Sequence, residues 1–143
     1  MRESSCLISI GIPAFNCERT LALAERPILR QTYGNCGLLL MEDGLADKTL
    51  EATREFSHLR ILVHSDFEHT GLVARLNEAV ARSRGEYFAR TDGDDVAFPE
   101  RMERQIEYLT SHPEDVLVGG GMVQRKWHCG GLASRAANTR RNL

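Results

Sequence analysis

Short apolar runs alternate with amphipathic segments along this chain, and that alternation limits its fold more than any other feature of the sequence. The runs are short enough to be strands and lie at residues 7–12, 38–41, 60–64, 87–89 and 116–118. Strands that alternate with helices are joined by right-handed crossovers, which make a mostly parallel sheet covered by helices on both faces. The sequence therefore predicts an α/β fold.

The segments between these runs carry apolar residues at helical spacing. We expect helices over residues 18–30, from an N-cap at Asp47 through Phe56, from residue 72 to about Gly85, and from Pro99 to residue 111. Pro27 lies inside the first of these, where it removes a backbone donor, so a kink or break is expected there. In the third helix, the predicted core-facing residues are Leu72, Leu76, Ala79 and Val80.

The composition of the chain limits the kinds of partner and the cellular setting that we expect. The chain has 143 residues, of which 42% are hydrophobic, and a net charge of −2, so no overall field gathers nucleic acid. Its four cysteines form no Cys-x-x-Cys pair, which favours a reduced, cytoplasmic setting. The apolar stretch near the start is too short for a signal sequence or a membrane span, so no transmembrane segment is expected.

Three carboxylates follow the fourth apolar run. In sheets of this kind, ligands bind beyond the carboxyl ends of the strands, where Asp92, Asp94 and Asp95 lie within four residues. Their mutual repulsion calls for a cation, and carboxylate oxygens suit Mg²⁺ or Mn²⁺, which leave coordination positions for water and phosphate. The loop therefore predicts a divalent metal that acts as a Lewis acid on a diphosphate.

Other interpretations of this loop stay open. Asp-rich loops are often turns or helix caps, and Asp95 comes shortly before a helix that begins with proline. A calcium loop starting at Asp92 is disfavoured, because Val96 and Ala97 stand where an oxygen ligand and a glycine are needed. An aspartate-nucleophile phosphatase would carry its Asp-x-Asp on the first strand of the domain, whereas this one follows the fourth, so this hypothesis ranks below a metal site.

Asp43 and Phe15 follow two other predicted strands. Asp43 ends the second run, at the same sheet edge as Asp92, and could accept a hydrogen bond from a nucleobase N–H. Phe15 could stack on that base. Their alternative roles are a turn residue before Gly44 and a core residue, respectively. Among the histidines, only His69 lies in a loop at this edge.

These residues together resemble the inverting family-two glycosyltransferases, which have the A-type fold. The resemblance covers roughly residues 6–123. It is carried in order by Ile10-Gly11-Ile12-Pro13-Ala14-Phe15-Asn16, by Leu39-Leu40-Met41-Glu42-Asp43-Gly44 with Asp47, by Gly71 and Asn77, by Gly85-Glu86-Tyr87, and by Asp92-x-Asp94-Asp95 with Pro99-Glu100-Arg101. It implies a Rossmann-like, mostly parallel sheet with helices on both faces, truncated at its C-terminal end to the nucleotide-sugar-binding half.

By position, the resemblance also implies roles for particular residues. Pro13, Ala14, Phe15 and Asp43 would hold the nucleotide base, Asp92 would approach the ribose, and Asp94 would bind Mn²⁺ or Mg²⁺ in the family's DXD motif. The family transfers a sugar from a nucleotide donor, often a UDP-sugar, to an acceptor hydroxyl with inversion. Its members build cell-wall, capsule or lipid-linked glycans, so the implied partners are such a donor and a glycan or lipid-linked acceptor.

The sequence departs from the family at three places. Glu42 replaces an aspartate, Leu45-Ala46 replaces a polar pair, and His69-Thr70 lacks a basic residue that commonly precedes Gly71. These changes weaken the expected contacts with the donor, although Asp43 is retained.

The tail is a further departure. Residues 124–143 contain no Asp or Glu and are predicted to be disordered or outside the family domain of residues 6–123. No catalytic base is assigned. The alternative function is therefore a catalytically incomplete module that binds nucleotide-sugar and metal. Such a chain would be inactive alone, could lie at the membrane periphery, and would self-associate through exposed sheet surface.

Overall fold

The structure is a computed structural model that describes residues 6–44 and 60–120, together with the backbone of two short strands at residues 125–128 and 131–134. The chain divides into two compact units, Met1–Glu103 and Arg104–Leu143. The first unit holds the parallel sheet and the candidate site. Within the described ranges, no helix is long and apolar enough to cross a membrane.

Within the part of the first unit that the structure describes, four parallel strands form one sheet. They are β1 (Ile8–Ala14), β2 (Cys36–Asp43), β3 (Ile61–Asp66) and β4 (Tyr87–Arg90), in the order β3-β2-β1-β4. The predicted α/β fold with a parallel sheet is confirmed. The sequence predicts the first strand at residues 7–12, but β1 continues through Pro13 to Ala14.

The described residues also form three helices, namely α1 (Leu21–Leu29), α2 (Leu72–Arg82) and α3 (Arg101–Ser111). Of the kink or break expected at Pro27, the break is wrong, because α1 continues through this residue and ends two residues later. The kink stays a prediction. Pro99 lies in a turn, and α3 begins two residues after it. The helix predicted between Asp47 and Phe56 lies outside the described residues.

Both faces of the sheet are buried at its two central strands. On one face, Leu39 and Met41 of β2 pack with Ala79 of α2 and with Phe88 of β4. The opposite face carries side chains of β1 and β2 that are at most 2% exposed, namely Ile10, Ile12, Leu38 and Leu40. Burial on both sides explains why β2 carries a continuous apolar run, Leu38 to Met41, rather than an alternating one.

The core-facing side of α2 differs from the prediction. Leu72 and Val80 are about half exposed, whereas Arg75 and Ala79 are buried. A buried arginine is tolerated here because carboxylates and a carbonyl surround its guanidinium group. Apolar spacing alone therefore located the helix correctly but assigned part of its buried face incorrectly.

The sheet has an outer strand at β3, which pairs with β2 and with no other strand among the described residues. Leu62 and Val63 of this strand are exposed. Such an edge is a ready template for pairing with another chain. The expected self-association stays a prediction.

The second unit contains the rest of α3 and a short hairpin. The hairpin pairs β5 (Arg125–His128) with β6 (Gly131–Ser134) in antiparallel register. The strand predicted at residues 116–118 is wrong: these residues pair with no strand in the structure described, and Val116 is 96% exposed. Residues 124–143 thus include two strands, while the domain boundary at residue 123 stays a prediction.

Candidate functional site

A cleft of about 530 Å³ lies at the carboxyl ends of the strands of the first unit. All the residues singled out for substrate and metal binding line this cleft, namely Pro13, Ala14, Phe15, Asp43, Asp92 and Asp94. The parallel sheet brings them together because β1, β2 and β4 all end at this edge. Residues far apart in the sequence therefore share one cavity.

Phe15 lines the cleft directly after β1. It is 46% exposed, so it is not a core residue, and its ring stacks on that of His69 with a centroid separation of 4.1 Å. The next residue, Asn16, has a φ of +50°. Asparagine is among the residues that tolerate this left-handed backbone, and the conformation turns the chain sharply at the end of the strand.

Asp43 contacts the His69 ring of this aromatic pair and is 3% exposed. Its Oδ1 accepts a hydrogen bond from the backbone N–H of Thr70 at 2.7 Å, and its Oδ2 accepts one from that of Gly71 at 2.8 Å. Burial by itself raises the pKa of Asp43, but these bonds and that from Arg75 outweigh it and hold the pKa at about 2. Asp43 is therefore a charged buried group that organises the loop after β3.

Arg75 joins Asp43 to the neighbouring elements. Its Nε donates to Asp43 Oδ1 at 2.9 Å, and its Nη1 donates to Asp66 at the end of β3 and to Glu78 on its own helix. Its Nη2 reaches the carbonyl oxygen of Glu68 at 3.0 Å. One buried guanidinium thus connects the ends of two strands, a loop and a helix. Sequence analysis missed this residue, and the only signal was an arginine within the apolar spacing of α2.

The acidic loop forms the other end of the cleft. The backbone N–H of Asp95 donates to the carbonyl oxygen of Asp92 at 3.1 Å, so the loop is a turn, as its alternative interpretation required. Asp92 is paired with Arg90 through two hydrogen bonds of 2.8 and 3.0 Å. Asp94 and Asp95 are exposed. Turn geometry and ligand binding are compatible, because the turn leaves the Asp94 carboxylate at the cleft.

Two contacts hold this acidic loop in place. Arg101, at the start of α3, donates to Thr91 Oγ1 and to the carbonyl oxygen of Arg90, both at 2.8 Å. Gly93 is buried against Cys17, and a Cβ added to Gly93 would lie 3.1 Å from the Cys17 sulfur. A larger residue at this position would therefore have to push the Cys17 side chain away by a few tenths of an ångström.

The carboxylates fit a divalent metal that arrives with its phosphate ligands. No group of three or more His, Cys, Asp or Glu side chains among the described residues could enclose an ion. Asp94 can instead offer one or two oxygens, and Mg²⁺ or Mn²⁺ commonly takes its remaining ligands from water and substrate phosphates. The protein alone is therefore expected to bind such a metal weakly.

Comparison with known proteins gives a consistent family. Residues 9–126 match the sequence profile described as Glycosyl transferase family 2. The chain is 38% identical over 119 residues to the putative glycosyltransferase EpsE of Bacillus subtilis, and these residues cover 81% of the chain and 43% of EpsE. It is 30% identical over 113 residues to WfgD of Escherichia coli, named a UDP-Glc:alpha-D-GlcNAc-diphosphoundecaprenol beta-1,3-glucosyltransferase, covering 79% of the chain and 45% of WfgD.

Solved structures agree on the fold. The mannosyltransferase PcManGT of Pyrobaculum calidifontis, in complex with GDP-Man and Mn²⁺, superposes with a TM-score of 0.69 at 19% identity, covering 75% of this chain and 33% of that one. Residues 1–349 of TarS from S. aureus, in complex with UDP-GlcNAc, give 0.70 at 19% identity, covering 75% and 32%. The chain spans less than half the length of EpsE and WfgD.

Proposed function

Because this chain belongs to glycosyl transferase family 2, we propose that its cleft binds a nucleoside-diphosphate sugar. The observation that carries the proposal is the continuity of the cleft. It runs from an aromatic and carboxylate end at Phe15 and Asp43 to an acidic end at Asp92 and Asp94. A nucleotide-sugar is arranged in the same order, with a flat base at one end and, beyond the ribose, a diphosphate that carries the sugar.

The two ends of the cleft would hold different parts of the donor. Pro13, Ala14 and Phe15 would contact the base, which Asp43 would also face, and Asp92 would approach the ribose. Asp94 would hold Mn²⁺ or Mg²⁺ against the diphosphate. When bound, the metal would stabilise the charge that develops on the departing diphosphate.

The reaction proposed for the complete enzyme is transfer of the sugar to an acceptor hydroxyl with inversion. The name of WfgD specifies a UDP-glucose donor and a lipid-linked diphosphate acceptor, and PcManGT is in complex with GDP-Man, which supports donors of this class. We propose a glycan or lipid-linked acceptor and a protein that acts at the membrane periphery. The family domain is proposed to span residues 6–123, and no catalytic base is assigned among the described residues.

Calorimetric titration of UDP and GDP, with and without Mn²⁺, tests the proposal. Asp94→Ala is compared with Glu100→Ala, which changes an exposed carboxylate outside the cleft. We expect the wild-type chain and the Glu100 variant to bind one of the nucleotides with Mn²⁺, and Asp94→Ala to bind at least about tenfold more weakly. The proposal would be abandoned if neither nucleotide bound, or if binding ignored both the metal and Asp94.

Sugar transfer is a separate measurement. Incubation of the chain with a UDP-sugar and a lipid-linked acceptor distinguishes an active transferase from a module that only binds nucleotide-sugar. Binding without transfer supports the module. Transfer lost in Asp94→Ala supports the enzyme.

A further inference from the structure

His69 makes both contacts that the proposed function assigns to a nucleobase. Its ring stacks on Phe15 with a centroid separation of 4.1 Å and an interplanar angle of 29°. Its Nδ1 lies 2.8 Å from Asp43 Oδ2. A flat ring on Phe15 with an N–H directed at Asp43 is the arrangement expected for a bound base, and here a side chain of the protein itself adopts it.

The imidazole of His69 presents a ring N–H donor to Asp43, as some nucleobases would. Nδ1 faces two acceptors, Asp43 Oδ2 and the Asp43 carbonyl oxygen at 3.3 Å, so Nδ1 carries the proton and donates it. Uracil and guanine present a ring N–H of the same kind, whereas cytosine presents an acceptor at that ring position. The contact that His69 makes can therefore be replaced by uracil or guanine without leaving Asp43 short of a donor.

Asp43 has little capacity for an additional donor. Its two oxygens already accept from the backbone N–H groups of Thr70 and Gly71 and from the buried guanidinium of Arg75. Those three donors belong to backbone or to a side chain that is 3% exposed. The His69 side chain is 55% exposed and can rotate into solvent. Thr70 Oγ1 also donates to Asp43 Oδ1, at 3.2 Å. On Oδ2, where the other described donor is the backbone N–H of Gly71, His69 is the donor that a ligand can displace without disturbing the loop.

We propose that His69 occupies the nucleobase position of the cleft and that a uracil or guanine base binds by displacing it. This inference rests on the proposed function, since it assumes that a nucleotide enters the cleft at all. Its consequence is a reduced apparent affinity, because a ligand that binds only the open state is weakened by the fraction of time the site is open. A site open about a tenth of the time binds about tenfold more weakly.

The variants that separate the two contacts of His69 provide the test. His69→Ala removes both contacts, His69→Asn keeps an N–H donor near Asp43 without an aromatic ring, and His69→Phe keeps a ring without a donor. Kd values for UDP and for inorganic diphosphate are measured by calorimetry in the presence of Mn²⁺, with CDP as the base control. Thermal melting verifies that each variant is folded.

Displacement predicts a specific order of affinities. His69→Ala should bind UDP about tenfold more tightly than wild type, with the Asn and Phe variants in between. Binding of diphosphate should be unchanged in all of them, because it lacks a base. The His69→Ala substitution should increase the affinity for CDP less than that for UDP, because cytosine brings no ring N–H to Asp43. Unchanged or weaker UDP binding by His69→Ala, with diphosphate unaffected, would overturn displacement and indicate that the base stacks beside His69.

Nuclear magnetic resonance of the wild-type chain gives an independent measurement. The His69 ring protons experience the ring current of Phe15 while the two rings are stacked. On titration with UMP they should move towards the positions of a solvent-exposed histidine, and a shift deeper into the stack would contradict displacement. If neither wild type nor His69→Ala binds any nucleotide, the proposed function and this inference both fail. If both bind UDP equally, only this inference fails.

Discussion

Arg75 Nε donates a hydrogen bond to Asp43 Oδ1 at 2.9 Å, and both side chains are nearly inaccessible to solvent. Through this contact the helix α2 holds the loop that ends at Gly71 against the end of β2. The proposed base end of the cleft therefore depends on a buried ion pair, and its stability and geometry can be tested together.

Replacement of Arg75 by Gln should destabilise the fold strongly. The change leaves Asp43 as a buried carboxylate without its cationic partner, and breaking such a pair costs about 3 kcal/mol or more. Arg82→Gln is the matched control, because Arg82 is on the same helix and also pairs with Glu78 but is largely exposed. It should cost less than about 1 kcal/mol. Free energies of unfolding in urea measure both, and equal losses would contradict a special role for Arg75.

Asp43 should make the fold sensitive to acid. Its pKa of about 2 lies below the ordinary 3.8, so its contribution to the free energy of unfolding is present above pH 4 to 5 and is lost as the pH falls towards 2. Asp43→Asn cannot titrate and lacks this contribution. The stability difference between wild type and Asp43→Asn should therefore narrow by up to about 2 kcal/mol on acidification. A difference that is the same at pH 7 and pH 2 would refute the assignment.

Glu25 should have the opposite effect to Asp43 on the pH dependence of stability, because it should destabilise the fold as the pH rises. This residue of α1 is fully buried, its carboxylate makes no hydrogen bond within the described residues, and burial raises its pKa to about 7. Ionisation is therefore disfavoured in the fold, and stability should fall as the pH rises from 4.5 to above 7. Glu25→Met should be more stable than wild type at pH 8 by about 2 kcal/mol, with that advantage shrinking at pH 5.

A second substitution separates charge from packing at this position. Glu25→Gln is uncharged at every pH, so its free energy of unfolding should lack the decline of the wild type between pH 5 and pH 8. It should stay below Glu25→Met, because its buried amide still needs partners. If the free energy of unfolding of the wild type is as independent of pH as that of Glu25→Gln, Glu25 does not titrate between pH 5 and pH 8.

Gly85 is required by a close approach of two backbone segments. A Cβ at this position would lie 2.6 Å from the carbonyl oxygen of Leu7 and 2.6 Å from the nitrogen of Ser9. Gly85→Ala should therefore lower the free energy of unfolding by about 2 kcal/mol or more. Gly34→Ala is the control, since no atom lies within 4 Å of its added Cβ, and it should change stability by less than about 0.5 kcal/mol.

Arg90 should weaken metal binding at the acidic loop, because it neutralises Asp92 through two hydrogen bonds. Under the proposed function, Arg90→Gln should tighten the binding of Mn²⁺ alone by on the order of threefold, the scale of an exposed charge interaction. Arg84→Gln, which removes an exposed arginine from the turn before β4, is the control. Titrations followed by the electron paramagnetic resonance of free Mn²⁺ compare the two, and equal affinities would exclude the effect.

Much of the first unit was predictable from local pattern. The apolar runs located all four strands of the sheet, and the rule that ligands bind beyond the strand ends selected Phe15, Asp43 and Asp94 for one cleft. These features depend on the periodicity of apolar side chains and on the direction of the chain, and short stretches of sequence are enough to reveal both. The strand predicted at residues 116–118 is wrong because a strand also needs a partner strand, and the sequence of one short segment does not indicate whether such a partner exists.

The sequence by itself therefore determined the α/β class, the parallel strand direction and the edge at which polar residues collect. Only the tertiary structure decided which of these residues contact one another. Arg75 is buried because Asp43 of β2 and Asp66 of β3 come from distant segments to meet its guanidinium group. His69 reaches Phe15 and Asp43 only after two loops meet. Contacts between distant segments depend on the packing of whole elements, and no local spacing encodes them.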